Sequence, residues 1–162
     1  MTAYAPRIVE QDSEHCQVVL QNVFLTYTIG PATDGNIAAL VDQLERFFAG
    51  LPANQKGAFV LVTRSSTRPP NSAARRRVQQ VIEHHVEQLA GIAVVIESTG
   101  FANAIIRTVA SSLFLIAPKK LPLKFFSNTV ECVAWVTERT GVSALALQEL
   151  VRFAKQTVDG RP

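Results

Sequence analysis

The sequence predicts an α/β domain, a mixed β-sheet with helices packed on it. Three observations carry that expectation. Residues 58–62, AFVLV, form a continuous apolar run, the pattern of a strand covered on both faces rather than one with a wet side. Residues 91–96, GIAVVI, repeat it. Around these runs stand segments whose apolar residues recur at i, i+3, i+4 and i+7, the spacing of one helix face. Strands alternating with helices imply neighbours joined by crossovers, and hence a layered domain.

Composition agrees with one compact unit. The chain has 162 residues, 48% hydrophobic and 18% charged, which gives volume for a buried core and is too apolar for a disordered chain. The formal net charge of +3 does not indicate nucleic acid, although cations gather at 64–77 and 119–124. Residues 1–15 lack the apolar core of a secretory signal, and no later run reaches the ~20 apolar residues of a membrane span. A cytoplasmic protein is therefore expected. Cys16 and Cys132 have no metal-ligand spacing and read as buried, reduced thiols.

Taken in order, residues 1–13 are polar and proline-containing and are expected to be a flexible N-terminus. Residues 14–140 form the expected domain. Two β-rich runs, CQVVLQN and VFLTYTIG, meet at Gln21 and Asn22 as a hairpin. Thr33 or Asp34 caps a helix whose stripe is Ile37, Leu40, Val41, Leu44, Phe47 and Phe48, and Gly50 and Pro52 stop it. The strand at 58–62 follows as the central one. Pro69 and Pro70 then enforce an extended approach to a second helix, for which Asn71 or Ser72 supplies the capping oxygen. Its core face is Ala74, Val78, Val81, Ile82, His85 and Leu89. Arg75, Arg76 and Arg77 crowd its first turns, where the helix dipole favours anions instead.

After the strand at 91–96, a third helix is expected over 101–117, with Ile105, Ile106, Val109, Leu113 and Ile116 as its stripe. Phe114 lies nearly opposite Val109, on the flank of Arg107, so this helix is apolar on two sides and is expected either to be doubly buried or to meet a partner. Lys119 and Lys120 close it. PLKFFS reads as a short strand, and Asn128 with Glu131 as a capping box for a helix through Arg139. Residues 141–158 form an additional C-terminal helix, begun by Ser143, that packs on the domain or on a partner through Leu147, Leu150, Val151 and Ala154. Residues 159–162 are a frayed tail. The expected order is β-β-α-β-α-β-α-β-α plus the extra helix.

The second half, GIAVVIESTGFANAIIRTVASSLFLIAPKKLPLKFFSNTVECVAWV, resembles the SpoIIAA-like branch of the STAS domains, relatives of the bacterial anti-sigma-factor antagonists. The resemblance rests on the GIAVVI strand, the PLKFF strand and the closing helix ECVAWV, and with the opening elements it covers roughly residues 15–139. These are packing motifs, so the resemblance implies a fold more than an activity. It implies a non-catalytic regulatory module that binds another protein. In switch-type members a phosphorylatable serine opens the helix after the central strand. The matching stretch here is Pro70-Asn71-Ser72-Ala73, which points to Ser72, with Ser66 as a rival acceptor on the preceding loop. Asn71 stands where such members carry an acid, and alanines and arginines follow Ser72.

An enzyme needs a nucleophile with its base, an acid pair or a metal cluster, and the sequence gives none of them. His84 and Glu87 read as a solvated face three residues apart, with His85 turned to the core and unable to join them on one metal. His15 and Cys16 are strand neighbours and point to opposite faces. Cofactors and metals are accordingly not expected. The alternative reading is a carrier of a small apolar ligand or lipid, because STAS-like folds look similar to lipid-transfer folds and Arg75, Lys119 and Lys120 would give a pocket a cationic mouth for a headgroup or membrane surface. Nucleic acid is not an expected partner, since no aromatics interleave the arginines. A homodimer is expected, with Arg107, Phe114 and Leu150 as its surface.

Overall fold

The computed structural model describes residues 5–64, 70–97 and 121–160. Six strands form one sheet in sequence order: β1 (Arg7–Gln11), β2 (His15–Leu20), β3 (Val23–Thr28), β4 (Gly57–Arg64), β5 (Leu89–Glu97) and β6 (Leu123–Phe126). The first two pairings are antiparallel and the last three parallel, so the sheet is mixed, as expected. β4 lies between parallel neighbours and is buried along most of its length. Residues 7–11, expected to be flexible, instead pair with β2 as β1. Only Ile8 and Val9, side by side among charged and polar neighbours, are apolar, which marks an edge strand with little to bury.

The β2–β3 hairpin turns at the two residues expected. Leu20 pairs with Val23, and Gln21 takes a left-handed backbone at φ 52°. Asn22 is buried there and fastens the turn to its surroundings. Its Nδ2 donates to the Lys56 carbonyl at 2.8 Å and to the Thr140 carbonyl at 3.2 Å, so one side chain satisfies backbone acceptors from two other segments.

Four helices accompany the sheet among the described residues: α1 (Asp34–Ala49), α2 (Ser72–His84), α3 (Thr129–Thr140) and α4 (Ala144–Asp159). A short 3-10 turn, Val86–Gln88, leads from α2 into β5. Thr33, Asn71, Asn128 and Ser143 are the N-caps, each accepting a backbone N–H three residues on, which satisfies donors that a helix start leaves open. Gly141 ends α3 at φ 76°, the left-handed cap that glycine adopts without a Cβ penalty.

Because side chains alternate across a strand, the sheet builds two cores. Phe24, Phe59, Ile92, Val94 and Ile96 face α1 and α2, meeting Leu44, Phe47, Phe48, Val81 and Ile82. Cys16, Val18, Val23, Leu25, Val60, Val62 and Val95 face the other way and meet Cys132, Val133, Val136, Leu147, Leu150 and Ala154 of α3 and α4. Leu150, expected on a partner or dimer surface, is 0% exposed within this second core. The stripe that defines it as apolar is thus satisfied inside its own domain, where α4 lies over β2 and β3. Trp135 is half-buried over Gly91, with the Arg139 guanidinium 4.4 Å from its ring centre.

The expected helix at 101–117 lies outside the described residues, and with it Arg107 and Phe114. So do Ser66, Lys119 and Lys120. No helix among the described residues is long and apolar enough to cross a membrane.

Candidate functional site

In open α/β sheets, loops and helix starts at the carboxyl ends of the parallel strands are where ligands and partners engage. That end of this sheet carries polar chemistry on both faces. On the α1–α2 side, α2 begins directly beyond β4. Asn71 caps it, its Oδ1 accepting the Ala74 N–H at 2.9 Å, while its Nδ2 donates to Asp34 Oδ1 at 2.9 Å. Ser72, which shared the capping role with Asn71 in the sequence reading, is instead the first helical residue and is exposed. Arg75 is half-buried one turn on, and Arg76 and Arg77 are exposed.

Asp34 answers the question raised by three cations at a helix start. It is the first residue of α1, and the Asn71 bond holds its carboxylate beside the N-terminus of α2. One carboxylate therefore serves the dipoles of two helices. Nearby, His15 at the start of β2 pairs through Nδ1 with Asp12 Oδ1 at 3.0 Å, and Asn36 Nδ2 of α1 lies 3.1 Å from its Nε2. Burial pushes the Asp12 carboxyl up, but hydrogen bonds from the Glu14 N–H and from His15 outweigh it and bring its pKa below the usual value. Cys16 points to the opposite core, as the strand period requires, so His15 and Cys16 do not meet.

On the α3–α4 side the same end is closed by charge. Arg64, the last residue of β4, donates to Asp159 Oδ2 at 2.9 Å at the end of α4. The buried Tyr27 hydroxyl donates to the same carboxylate at 3.3 Å. Lys155 pairs with Glu97, the last residue of β5. Burial pushes the Tyr27 phenol up to about 12, partly opposed by Arg64 and reinforced by Asp159. This network holds the end of α4 to the ends of two parallel strands. The apolar void beneath α3 and α4, lined by Val23, Leu25, Val60, Cys132 and neighbours, measures about 10 Å³, at the lower limit for a single water.

At the opposite end, the amino end of β5, the structure corrects the histidine argument. Helix α2 stops at His84, and His85 takes a non-helical backbone, φ −106° and ψ 17°. Projecting about 100° per residue therefore fails at that step. The two rings lie edge to face, 4.7 Å between centres. His85 is buried, as expected, but it is not an apolar filler. Its Nε2 lies 2.6 Å from Glu45 Oε2 of α1, its Nδ1 lies 2.7 Å from Gln88 Oε1, and Phe48 stacks on its face. Glu45 was not singled out in the sequence, because nothing in a chain read one helix at a time shows which residue of α1 will meet the end of α2.

No protein-family model matches this chain, and no curated protein matches it. Among solved structures it is similar to an uncharacterised protein of the DUF3478 family from Shewanella loihica, described as having a SpoIIAA-like fold. The identity is 14%, the match covers 82% of this chain and 92% of that one, and the TM-score is 0.49.

Proposed function

We propose that this chain is a non-catalytic, STAS-like regulatory module whose binding of another protein is switched by phosphorylation at Ser72. The observation that carries the reading is an exposed serine at the first helical position after the central strand, beside Asp34 and one turn before Arg75. A phosphate there adds about −1.5 to −2 charge at a helix N-terminus. The dipole and the arginines favour it, whereas the Asp34 carboxylate opposes it. The Asn71–Asp34 bond between α1 and α2 is the contact that this repulsion strains. Phosphorylation would thus alter the surface where two helix starts meet and leave both cores untouched.

The test is quantitative co-purification from the native host with wild type, Ser72→Ala and Ser72→Asp as baits. The expected result is a stoichiometric partner retained by the first two and lost about tenfold with the third, together with a phosphopeptide mapping to Ser72 in the wild-type protein. The same set of proteins at the same ratios on all three baits would overturn the switch. Native mass spectrometry of the purified chain separates this reading from a ligand carrier, which retains extra mass, and reports whether the chain self-associates, while Arg107→Ala and Phe114→Ala test the expected surface.

A further inference from the structure

The cluster at the amino end of β5 stands apart from that surface. Helix α2 has 13 residues from Ser72 to His84, so about 18 Å separates the two at 1.5 Å per residue. Glu45, His84 and His85 each offer one ligand atom there, and all three atoms lie within 4.8 Å of one another.

The hydrogen bonds around His85 fix which nitrogen carries a proton. Gln88 Nε2 donates to the Phe48 carbonyl at 3.1 Å, which orients the amide and turns its Oε1 toward His85. Oε1 is an acceptor only, so the proton of the neutral ring sits on Nδ1, 2.7 Å away. The ring's lone pair then lies on Nε2 and points at Glu45 Oε2 at 2.6 Å, another acceptor. At that separation a shared proton fits between them, whereas two ligands on one zinc ion stand about 3.3 Å apart. A proton would serve, and would need only Glu45 and His85. A metal ion would also use the second imidazole, His84, which the bend after α2 brings against the first.

We propose that Glu45, His84 and His85 bind a divalent transition-metal ion of the zinc class, with Gln88 as the positioning residue that holds His85. Two imidazoles and a carboxylate are a zinc-type donor set with a fourth position left for water. A ligating histidine whose other N–H is held by an oxygen acceptor is the usual outer-shell arrangement. At metal–ligand distances of about 2.0–2.2 Å, tetrahedral ligands stand about 3.3 Å apart. Glu45 and His85 must therefore part by about 0.7 Å and the widest pair must close by at most about 1.5 Å. His84 is exposed and the Glu45 side chain is 43% exposed, so both have room to swing, whereas His85 is 7% exposed and fixed.

The test uses the full chain stripped with a chelator and titrated calorimetrically with zinc, and with cobalt(II) followed by visible absorption. One ion per chain is expected, bound in the low micromolar range or tighter, with the bands of a tetrahedral cobalt site. Glu45→Gln and His84→Ala, both at surface positions and checked for folding by circular dichroism, should each weaken binding at least about tenfold. Gln88→Ala should weaken it and leave the stoichiometry at one. The chain's third histidine is the control, and His15→Asn should change nothing. Absence of saturable binding in several-fold zinc excess would leave a proton between Glu45 and His85 and overturn the proposal, as would binding that survives both surface variants or depends on His15. None of these readouts depends on Ser72, so the two proposals fail separately.

Discussion

Leu150→Ala tests where the C-terminal helix belongs. Leu150 is 0% exposed in the core between α4 and the sheet, and its neighbours Leu147, Val151 and Ala154 share that face. The substitution removes three carbons, a transfer loss of ~2.4 kcal/mol at about 0.8 per methylene. A residual cavity of ~50 Å³ would add about 1.2 kcal/mol at 24 cal/mol per Å³. The void already lined by Leu147 and Val151 gives the site slack to collapse, so the expected total is about 2.5–3.5 kcal/mol. For a chain of this length that is a fall in Tm of roughly 6–12 °C. Urea denaturation followed by circular dichroism measures it, with Leu145→Ala as the control. Leu145 is 70% exposed on the same helix and its change should stay within about 0.5 kcal/mol. A Leu150→Ala loss below ~1 kcal/mol, coupled to a change in oligomeric state, would mean that this stripe covers a neighbouring chain in solution, and the packing argument would fall.

Two further outcomes follow from single contacts. A Cβ on Gly91 would lie 2.6 Å from the Trp135 ring, so Gly91→Ala must displace the indole. The expected cost is about 1–3 kcal/mol, and because Trp135 is the chain's one tryptophan, a red-shifted emission reports the displacement directly; unchanged emission would contradict it. Burial raises the Cys132 thiol from 9.0 to about 12 and the Tyr27 phenol from 10.0 to about 12. Both groups hold their proton more tightly folded than unfolded, so their contribution is fully present below pH 9 and stability declines as pH rises from about 9 to 12. The urea midpoint should fall across that window, Cys132→Ala should soften the fall, and a flat profile up to pH 11 would be the contrary result.

The sheet and the helices were legible because their signals are periodic and local. The runs at 58–62 and 91–96 have no polar residue to turn outward, and they became β4 and β5, strands buried on both faces. The α4 stripe is buried throughout, and that of α1 is buried at Ile37, Leu44, Phe47 and Phe48 and partly so at Leu40 and Val41. β1 was missed because an edge strand has few apolar residues and lies in a segment whose polarity reads as loop. The candidate sites depended on pairings between elements. Asn71 could be identified as a cap from its neighbours, but not as the partner of Asp34. His85 could be placed in the core by its spacing, but its carboxylate comes from α1, 40 residues earlier. Patterns within one segment say which face is buried; they do not say what polar group waits on the other side.

The placement of α4 changes the argument about self-association. A homodimer was expected partly because an extra amphipathic helix seemed to leave apolar surface with nothing to cover it. In the fold, α3 lies over β5 and β4 while α4 lies over β2 and β3, so the two helices divide one face of the sheet between them. Without α4, the side chains of Cys16, Val18, Val23, Leu25 and Tyr27, all at 2% exposure or less, would face water. The helix is therefore the second half of a layer, and its stripe gives no reason for a partner. Its charged end serves the same purpose, since Asp159 and Lys155 tie it to the carboxyl ends of β4 and β5. The surface of the proposed switch lies elsewhere, where α2 begins, and is held by hydrogen bonds and charge. Such contacts are worth about 0.5–1.5 kcal/mol each, small enough for a single phosphate to reverse.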